Sequence, residues 1–211
     1  MNILVTAGPT REPLDPVRFI SNRSSGKMGY AVARAAVLRN HKVVLVSGPV
    51  ALKPPGRTRL INVITSDEML NALRKNIAWC DALVMTAAVA DWRPRQRSRK
   101  KLKKGNKVLK LELVQTVDIL ASLAKQKGGR LFVGFAAETG NPIAGARKKL
   151  AAKRLDMIVA NDVSRSDAGF EVDTNKVTFI TSCGMIVDLP LMSKKAIAGK
   201  IINWLEQKHE I

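Results

Sequence analysis

Val5–Gly29, VTAGPTREPLDPVRFISNRSSGKMG, decides how the rest of the chain is read. The apolar run Asn2–Thr6 leads into it and stops at Gly8, which predicts a buried first strand. From about Ser25 the period turns helical, with Met28, Ala31, Val32, Ala35 and Leu38 on one predicted face and a stop near Asn40. Between strand and helix lies a polar loop, Gly8 to Gly26, where comparable turns usually run about 2–6 residues. A loop this long in a compact unit marks a functional segment. Gly8, Ser24, Ser25, Gly26 and Gly29 leave space for a ligand beside the backbone. Phosphate is the natural guest where strand, Gly-rich turn and helix N-terminus meet.

Working outward, Lys42–Ser47 reads as a second strand ended by Gly48-Pro49, so the first unit is a strand–helix–strand crossover in a parallel sheet. Leu60–Ile64 is expected to be an edge strand, followed by a helix capped by Ser66 and running to about Ala78. Asp81–Met85 is the next strand, and Thr86–Asp91 is the loop at its carboxyl end, where ligands of open parallel sheets bind. Arg93 to Lys107 has no acid and no apolar stripe, so it reads as an exposed, mobile segment. Val108–Val114 alternates like a half-exposed strand, and Val117–Gln126 reads as a helix. Arg130–Phe135 and Asp156–Ala160 are strands flanking a basic helix, Pro142–Arg154. Val163–Asn175 reads as loop. Lys176–Thr181 and Met185–Leu189 form a hairpin before a last helix, Lys194–Gln207, with Ile197, Ile201, Ile202 and Leu205 on one face. The pattern is that of an α/β, Rossmann-like, doubly wound and mostly parallel sheet in a single domain over residues 1–211.

Composition agrees. Apolar residues make up 46% of the 211 but aromatics only 4%, so the core must be aliphatic, as parallel sheets prefer. No run approaches the about 18–20 apolar residues of a membrane span. The strand begins at the second residue, which leaves no room for a signal peptide. Two cysteines, Cys80 and Cys183, are too few and too far apart for a disulfide framework or a zinc site, and a cytoplasmic setting is expected. The net charge of +19 calls for an anionic partner, either nucleic acid or small polyanions such as nucleotides and phosphorylated metabolites.

Spacing narrows the choice. A triphosphatase P-loop needs G-x-x-x-x-G-K-S/T; here the residue five before Gly26 is Ser21, and Met28 follows Lys27. A dinucleotide fingerprint needs an acid at the end of the second strand, which instead ends Ser47-Gly48-Pro49. Hydride transfer is therefore disfavoured, and a nonstandard anion cradle remains. The basic runs at 95–107 and 147–154 lack the aromatics with which single-strand binders stack bases, which argues against a nucleic-acid-binding module.

The opening stretch, AAVADWRP with KLKK after it, GFAAET, and KLAAKRLDMIVANDV followed by GFEVDTN together resemble phosphopantothenate–cysteine ligase, the second activity of a bacterial bifunctional coenzyme A biosynthesis protein. The likeness covers essentially the whole chain, with the motifs in the family's order. It implies ligation of 4′-phosphopantothenate to L-cysteine through an acyl-cytidylate, with CTP as co-substrate, Mg²⁺ as cofactor, and CMP and pyrophosphate as products. The same ligase using ATP is the alternative. It also implies a homodimer, for which the hairpin at about 176–189 is the candidate element; a hairpin that covers the domain's own edge is the simpler reading. Bifunctional members carry a flavin-dependent decarboxylase ahead of this domain. A separate or trimmed decarboxylase is accordingly an expected partner.

By resemblance, Asn22 handles the acyl intermediate; a turn asparagine is the ordinary alternative. Lys101, on a flap at about 92–107, would stabilise charge during activation. Gly8, Ser24, Gly26, Gly29, Ala87, Ala88 and Asp91 match the substrate pocket. Val117, Asp118, Ile119, Leu120 and Phe135 match the nucleotide site. Lys149 and Lys153, four apart, match the triphosphate lysines. Asn161 and Phe170–Asn175 are expected to shape the nucleotide side. Metal ligands are not assigned by the sequence.

Overall fold

The computed structural model describes residues 1–105, 108–138, 142–162 and 172–210. In chain order its strands are β1 (Asn2–Ala7), β2 (Arg11–Pro13), β3 (Phe19–Ser21), β4 (Lys42–Ser47), β5 (Thr58–Asn62), β6 (Ala82–Met85), β7 (Trp92–Pro94), β8 (Leu113–Gln115), β9 (Leu131–Glu138), β10 (Met157–Asp162), β11 (Thr174–Asn175), β12 (Val177–Thr181), β13 (Ile186–Asp188) and β14 (Met192–Ser193). The helices are α1 (Lys27–Leu38), α2 (Ser66–Asn76), α3 (Ile119–Leu123), α4 (Pro142–Ala152) and α5 (Lys194–His209).

Eight strands form one sheet in the order β13-β12-β10-β9-β6-β1-β4-β5. From β5 to β10 every pairing is parallel; β12 and β13 add on antiparallel. The chain runs from β1 outward to β5, then crosses back to β6 on the other side of β1. That reversal is a topological switch point, and a crevice opens there at the carboxyl ends of the strands.

Alternation along the strands sends side chains to two cores. Ile3, Val5, Leu45 and Val84 face α1 and α5, where Val32, Ala36, Ile197 and Ile201 are buried. Leu4, Val44, Val46 and Leu83 face the opposite layer, against Met69 and Leu73 of α2 and Ile119 and Leu123 of α3. The sheet is thus buried on both sides, the condition that favours continuous aliphatic strands.

Several expectations need correction. The long loop is not irregular throughout: Arg11–Pro13 and Phe19–Ser21 pair as an antiparallel hairpin. It is pinned by Glu12, whose buried carboxylate accepts from Ser66 N at 2.8 Å, and by Arg11 stacked over Phe19 at 4.5 Å. The edge strand sits earlier than Leu60–Ile64, and α2 is capped by Thr65, which accepts from Glu68 N, not by Ser66. Leu38 is 68% exposed, while Tyr30, Ala33, Ala36 and Val37 are buried; the core-facing stripe of α1 is rotated because α5 packs against it. Of Val108–Val114 only the end is strand; Val108, Leu109 and Leu111 are exposed, and among the described residues no strand pairs with them. Val117 and Asp118 precede a helix that begins at Ile119, and Asp118 is its N-cap, accepting from Ala121 N. The terminal hairpin extends the chain's own sheet through β10 and leaves β13 at the edge. Lys107, Thr139, Gly140 and Phe170 lie outside the described residues.

Candidate functional site

Two loops leave the sheet side by side at the switch point. After β1 and β6 the chains stay paired: Ala88 N donates to Gly8 O at 3.0 Å and Thr10 N to Ala88 O at 3.2 Å. Thr6 reinforces the seam, since its hydroxyl accepts from Ala87 N and its carbonyl from the Thr86 hydroxyl. The amide hydrogens of Ala87 and Ala88 are therefore already used. What these small residues offer a ligand is clearance and carbonyl oxygens.

The hairpin β2–β3 returns over this seam and delivers Asn22. Its side-chain amide donates to Ala88 O at 3.1 Å and Val89 O at 3.0 Å. Both amide hydrogens thus have acceptors, so Asn22 Oδ1 is the part of the group with spare capacity. The Ser24–Gly29 turn then opens α1. Gly8 and Gly26 hold left-handed backbones, φ 73° and 77°, which disfavour any side chain. Gly29 has another reason: a Cβ there would lie 2.5 Å from Ala7 Cβ, so α1 can press onto β1 only at glycine.

These loops wall a single cleft of about 730 Å³, within the usual range for small-molecule sites. Of the predicted residues it gathers Asn22, Ser24, Gly26 and Gly29 from the first loop, and Ala87, Ala88 and Asp91 from the second. Val117, Asp118, Ile119 and Leu120 enter from the start of α3, Phe135 from β9, and Lys149 and Lys153 from α4 and its end. Asn161 and Asn175 line it too, both buried. Gly8 and Lys101 do not line it, nor do Ser25 and residues 172–174 of the Phe170–Asn175 stretch. Gly8 lies behind the seam, backed by Val50 and Gly48. Lys101 is exposed on the segment between β7 and β8.

The described part of that segment is hydrogen-bonded to the β2–β3 hairpin at two residues. Ser98 N donates to Leu14 O at 3.0 Å, and Leu102 is held by both ends: its N–H reaches Asp15 Oδ2 at 3.1 Å, and its carbonyl accepts from Arg18 at 2.8 Å. The Arg18 guanidinium beside Asp15 holds its carboxyl well below the usual carboxylate range.

The cleft is strongly cationic. Lys27, Lys149, Lys153 and Lys194 line it against Asp91 and Asp118. Lys153 bonds Asp118 at 2.9 Å, and Lys27 bonds Asp173 at 2.8 Å. Lys27 in turn lowers the Asp173 carboxyl. Lys194, at the first turn of α5, is 5% exposed and donates to Val172 O at 2.6 Å; burial pushes its ammonium down to about 8. Lys27, Lys194, Trp92 and Gln115 line the cleft without having been assigned to it from sequence. A signal existed for Lys194, since a lysine opening a helix opposes the helix dipole. The described residues hold no group of three or more His, Cys, Asp or Glu side chains suited to a metal. The two cleft carboxylates suit an ion that arrives with a polyphosphate, because Mg²⁺ commonly takes one or two carboxylates and completes its shell with substrate oxygens and water.

Comparison with known proteins shows what the whole chain is similar to. A family model, the DNA/pantothenate metabolism flavoprotein C-terminal domain, matches residues 1–208. The coenzyme A biosynthesis bifunctional protein CoaBC of Bacillus subtilis (strain 168) is 48% identical over 203 residues, 96% of this chain and 50% of that protein. The crystal structure of the C-terminal domain of a CoaBC protein superposes with TM-score 0.85 at 43% identity, covering 99% of this chain and 95% of that one. A Cab2 mutant in complex with phosphopantothenate-cysteine shares the fold, with TM-score 0.77 at 16% identity, covering 99% of this chain and 87% of that one. The chain spans about half the length of the bifunctional relatives it matches. It belongs to the family of the DNA/pantothenate metabolism flavoprotein C-terminal domain.

Proposed function

We propose that the protein is a ligase of coenzyme A biosynthesis that joins 4′-phosphopantothenate to L-cysteine, using CTP through an acyl-cytidylate. The observation that carries this reading is the convergence on one cleft of Asn22, the small-residue loop Ala87–Ala88, the start of α3 and the lysines of α4. Membership of a family whose members include CoaBC proteins supports it.

The chemistry joins two polyanions, which repel until cations bring them together. Lys149 and Lys153 would take the triphosphate, with Lys153 exchanging its bond to Asp118 for phosphate oxygens. A carboxylate oxygen of phosphopantothenate then bonds the α-phosphorus. The α–β phosphoanhydride bond breaks, and its electron pair leaves on pyrophosphate. Next the cysteine amine bonds the acyl carbon, the C–O bond to the nucleotide breaks, CMP departs, and the amine gives up a proton. Asn22, which lines the cleft, would handle the acyl group. Its Oδ1 can accept from the attacking amine, and its amide, once drawn off Ala88 and Val89, can donate to the acyl oxygen as that oxygen gains charge. Asp91 and Asp118 would contact Mg²⁺ carried by the nucleotide, which supplies charge neutralisation at the leaving pyrophosphate. Lys101 would reach the reacting phosphate when the hairpin tip and the flap clasped to it close over the cleft together. Phe135 would pack on the base or sugar.

A second copy of the chain is the proposed partner at the β13 edge, where Met185, Ile186 and Val187 are exposed at 44%, 39% and 37%. The test of the activity is an omission series. Protein, phosphopantothenate, cysteine and Mg²⁺ are incubated with each triphosphate in turn, and pyrophosphate and CMP are measured. Pyrophosphate should appear with CTP only when phosphopantothenate is present; release that ignores phosphopantothenate would overturn the assignment.

A further inference from the structure

The proposed reaction leaves one elaborate polar device unused, at the tip of the β2–β3 hairpin. The Asp15 side chain is fully enclosed, with an exposure of 0%. One oxygen, Oδ1, closes the turn by accepting from Val17 N and Arg18 N, both at 2.9 Å. That half is local and needs nothing beyond the hairpin. The other oxygen, Oδ2, accepts from Arg18 Nε at 3.0 Å and from Leu102 N at 3.1 Å, across 87 residues of sequence. Arg18 also donates to Leu102 O at 2.8 Å. The two partners of one ion pair therefore grip the two sides of one residue.

The gripped residue adjoins Lys101. Around it the sequence RQRSRKKLKK carries only positive charge among its ionisable groups, and mutual repulsion would otherwise favour an extended, solvated segment. A second tie, Ser98 N to Leu14 O, and the turn closed by the Ser98 hydroxyl on Lys100 O leave Lys100 and Lys101 in a short span fixed at both ends. A buried carboxylate must be paired and hydrogen-bonded to be tolerated, so this clasp is costly to open by halves.

We propose that Asp15, with Arg18, is the positioning residue for Lys101: the clasp on Leu102 sets where the flap lysine stands relative to the cleft. The catalytic importance of Lys101 rests on the ligase reading; the clasp itself does not.

The test uses Asp15→Asn in the full chain. The amide keeps an oxygen for the turn but loses the charge that holds Arg18 and Leu102 together. Limited trypsin digestion of the folded protein, read by mass spectrometry, should cut between Arg97 and Lys104 about tenfold faster, the worth of one charge-assisted hydrogen bond, with other sites unchanged. Single-turnover pyrophosphate release should fall about tenfold, with nucleotide affinity unaltered. Adding Asp15→Asn to Lys101→Gln should slow the reaction no further, because both changes act through one group. Leu102→Pro removes the gripped N–H without touching the Asp15 turn, and Leu102→Ala controls for the lost side chain; the proline should raise amide exchange at Ser98 beyond the alanine and serves if Asp15→Asn does not fold. Unchanged trypsin cleavage, or exchange in Leu102→Pro no faster than in Leu102→Ala, overturns the clasp. Losses that multiply in the double variant overturn the positioning role. Faster cleavage with a silent Lys101→Gln overturns the role assigned to Lys101 and the positioning with it, while the clasp stands.

Discussion

Replacing Asn22 by aspartate changes one NH₂ to an oxygen, and the structure says what that does. The asparagine donates at 3.1 and 3.0 Å to Ala88 O and Val89 O. A carboxylate has no hydrogen to offer either carbonyl. Asn22 is exposed, so both carbonyls can find water, and the net loss is about 1–2 kcal/mol, a fall in Tm of about 3–6 °C for a chain of this size. The effect on the reaction is larger. A negative charge about 5 Å from an oxygen that is becoming negative costs about 3 kcal/mol at an effective dielectric of about 20, and loss of an oxyanion donor alone slows a step by about 10²–10³. Activation should be spared by comparison, since its charge develops on phosphate oxygens beside the lysines. The expected outcome is about one equivalent of pyrophosphate per site in a rapid-mix experiment, followed by CMP release to cysteine at least about a hundredfold slower than normal. Asn22→Ala, which loses the hydrogen bonds without adding charge, should fall between the two. Unaltered turnover in Asn22→Asp would remove Asn22 from the mechanism. Failure to release even the first pyrophosphate would show that the residue acts in activation instead.

Three further outcomes are expected. Lys101→Gln should slow pyrophosphate release strongly with an unchanged melting curve, and a normal activation rate would place the important cation elsewhere in the segment. Lys194 is pushed from 10.5 to about 8 by burial, so between those values the unfolded chain holds a proton that the folded one releases. Its contribution to stability should accordingly improve as pH rises from about 8 to 10, while below about 8 the burial penalty is fully present. Urea unfolding of Lys194→Met against the parent at several pH values should show the difference moving in the parent's favour; a pH-independent difference would contradict it. Finally, burial raises the Cys80 thiol to about 11, while the Thr181 hydroxyl lowers that of exposed Cys183. A thiol reagent at neutral pH should label Cys183 quickly and Cys80 only after unfolding; fast reaction of both would mean the sheet end at Cys80 opens.

The central sheet was legible because its strands are short apolar runs bounded by turns. Lys42–Ser47 is strand over the span read from sequence, and Asn2–Thr6 is extended only by Ala7. The crevice followed from topology, since the carboxyl ends of β1 and β6 must meet once the chain reverses direction. What sequence did not reveal depends on contacts between distant segments. Leu38 carries the right spacing for the core yet points outward, because α5, far along the chain, chooses which stripe of α1 is covered. The strands Arg11–Pro13 and Phe19–Ser21 are too short and too polar to show period-two alternation, and they exist because Glu12 and Arg11 tie them to the start of α2. Lys194 joins the cleft only because α5 begins beside the β11 segment. Asp15 looks like an ordinary turn residue until Leu102 is placed against it.

The most direct test follows an oxygen atom. Phosphopantothenate labelled with ¹⁸O in its carboxylate, incubated with CTP, cysteine and the protein, should deliver one labelled oxygen to the phosphate of CMP. The bond that breaks when the amine attacks is the acyl C–O bond, and the bridging oxygen leaves with the nucleotide. Unlabelled CMP would contradict the acyl-cytidylate, and label in inorganic phosphate accompanied by CDP would assign activation to the γ-phosphorus instead.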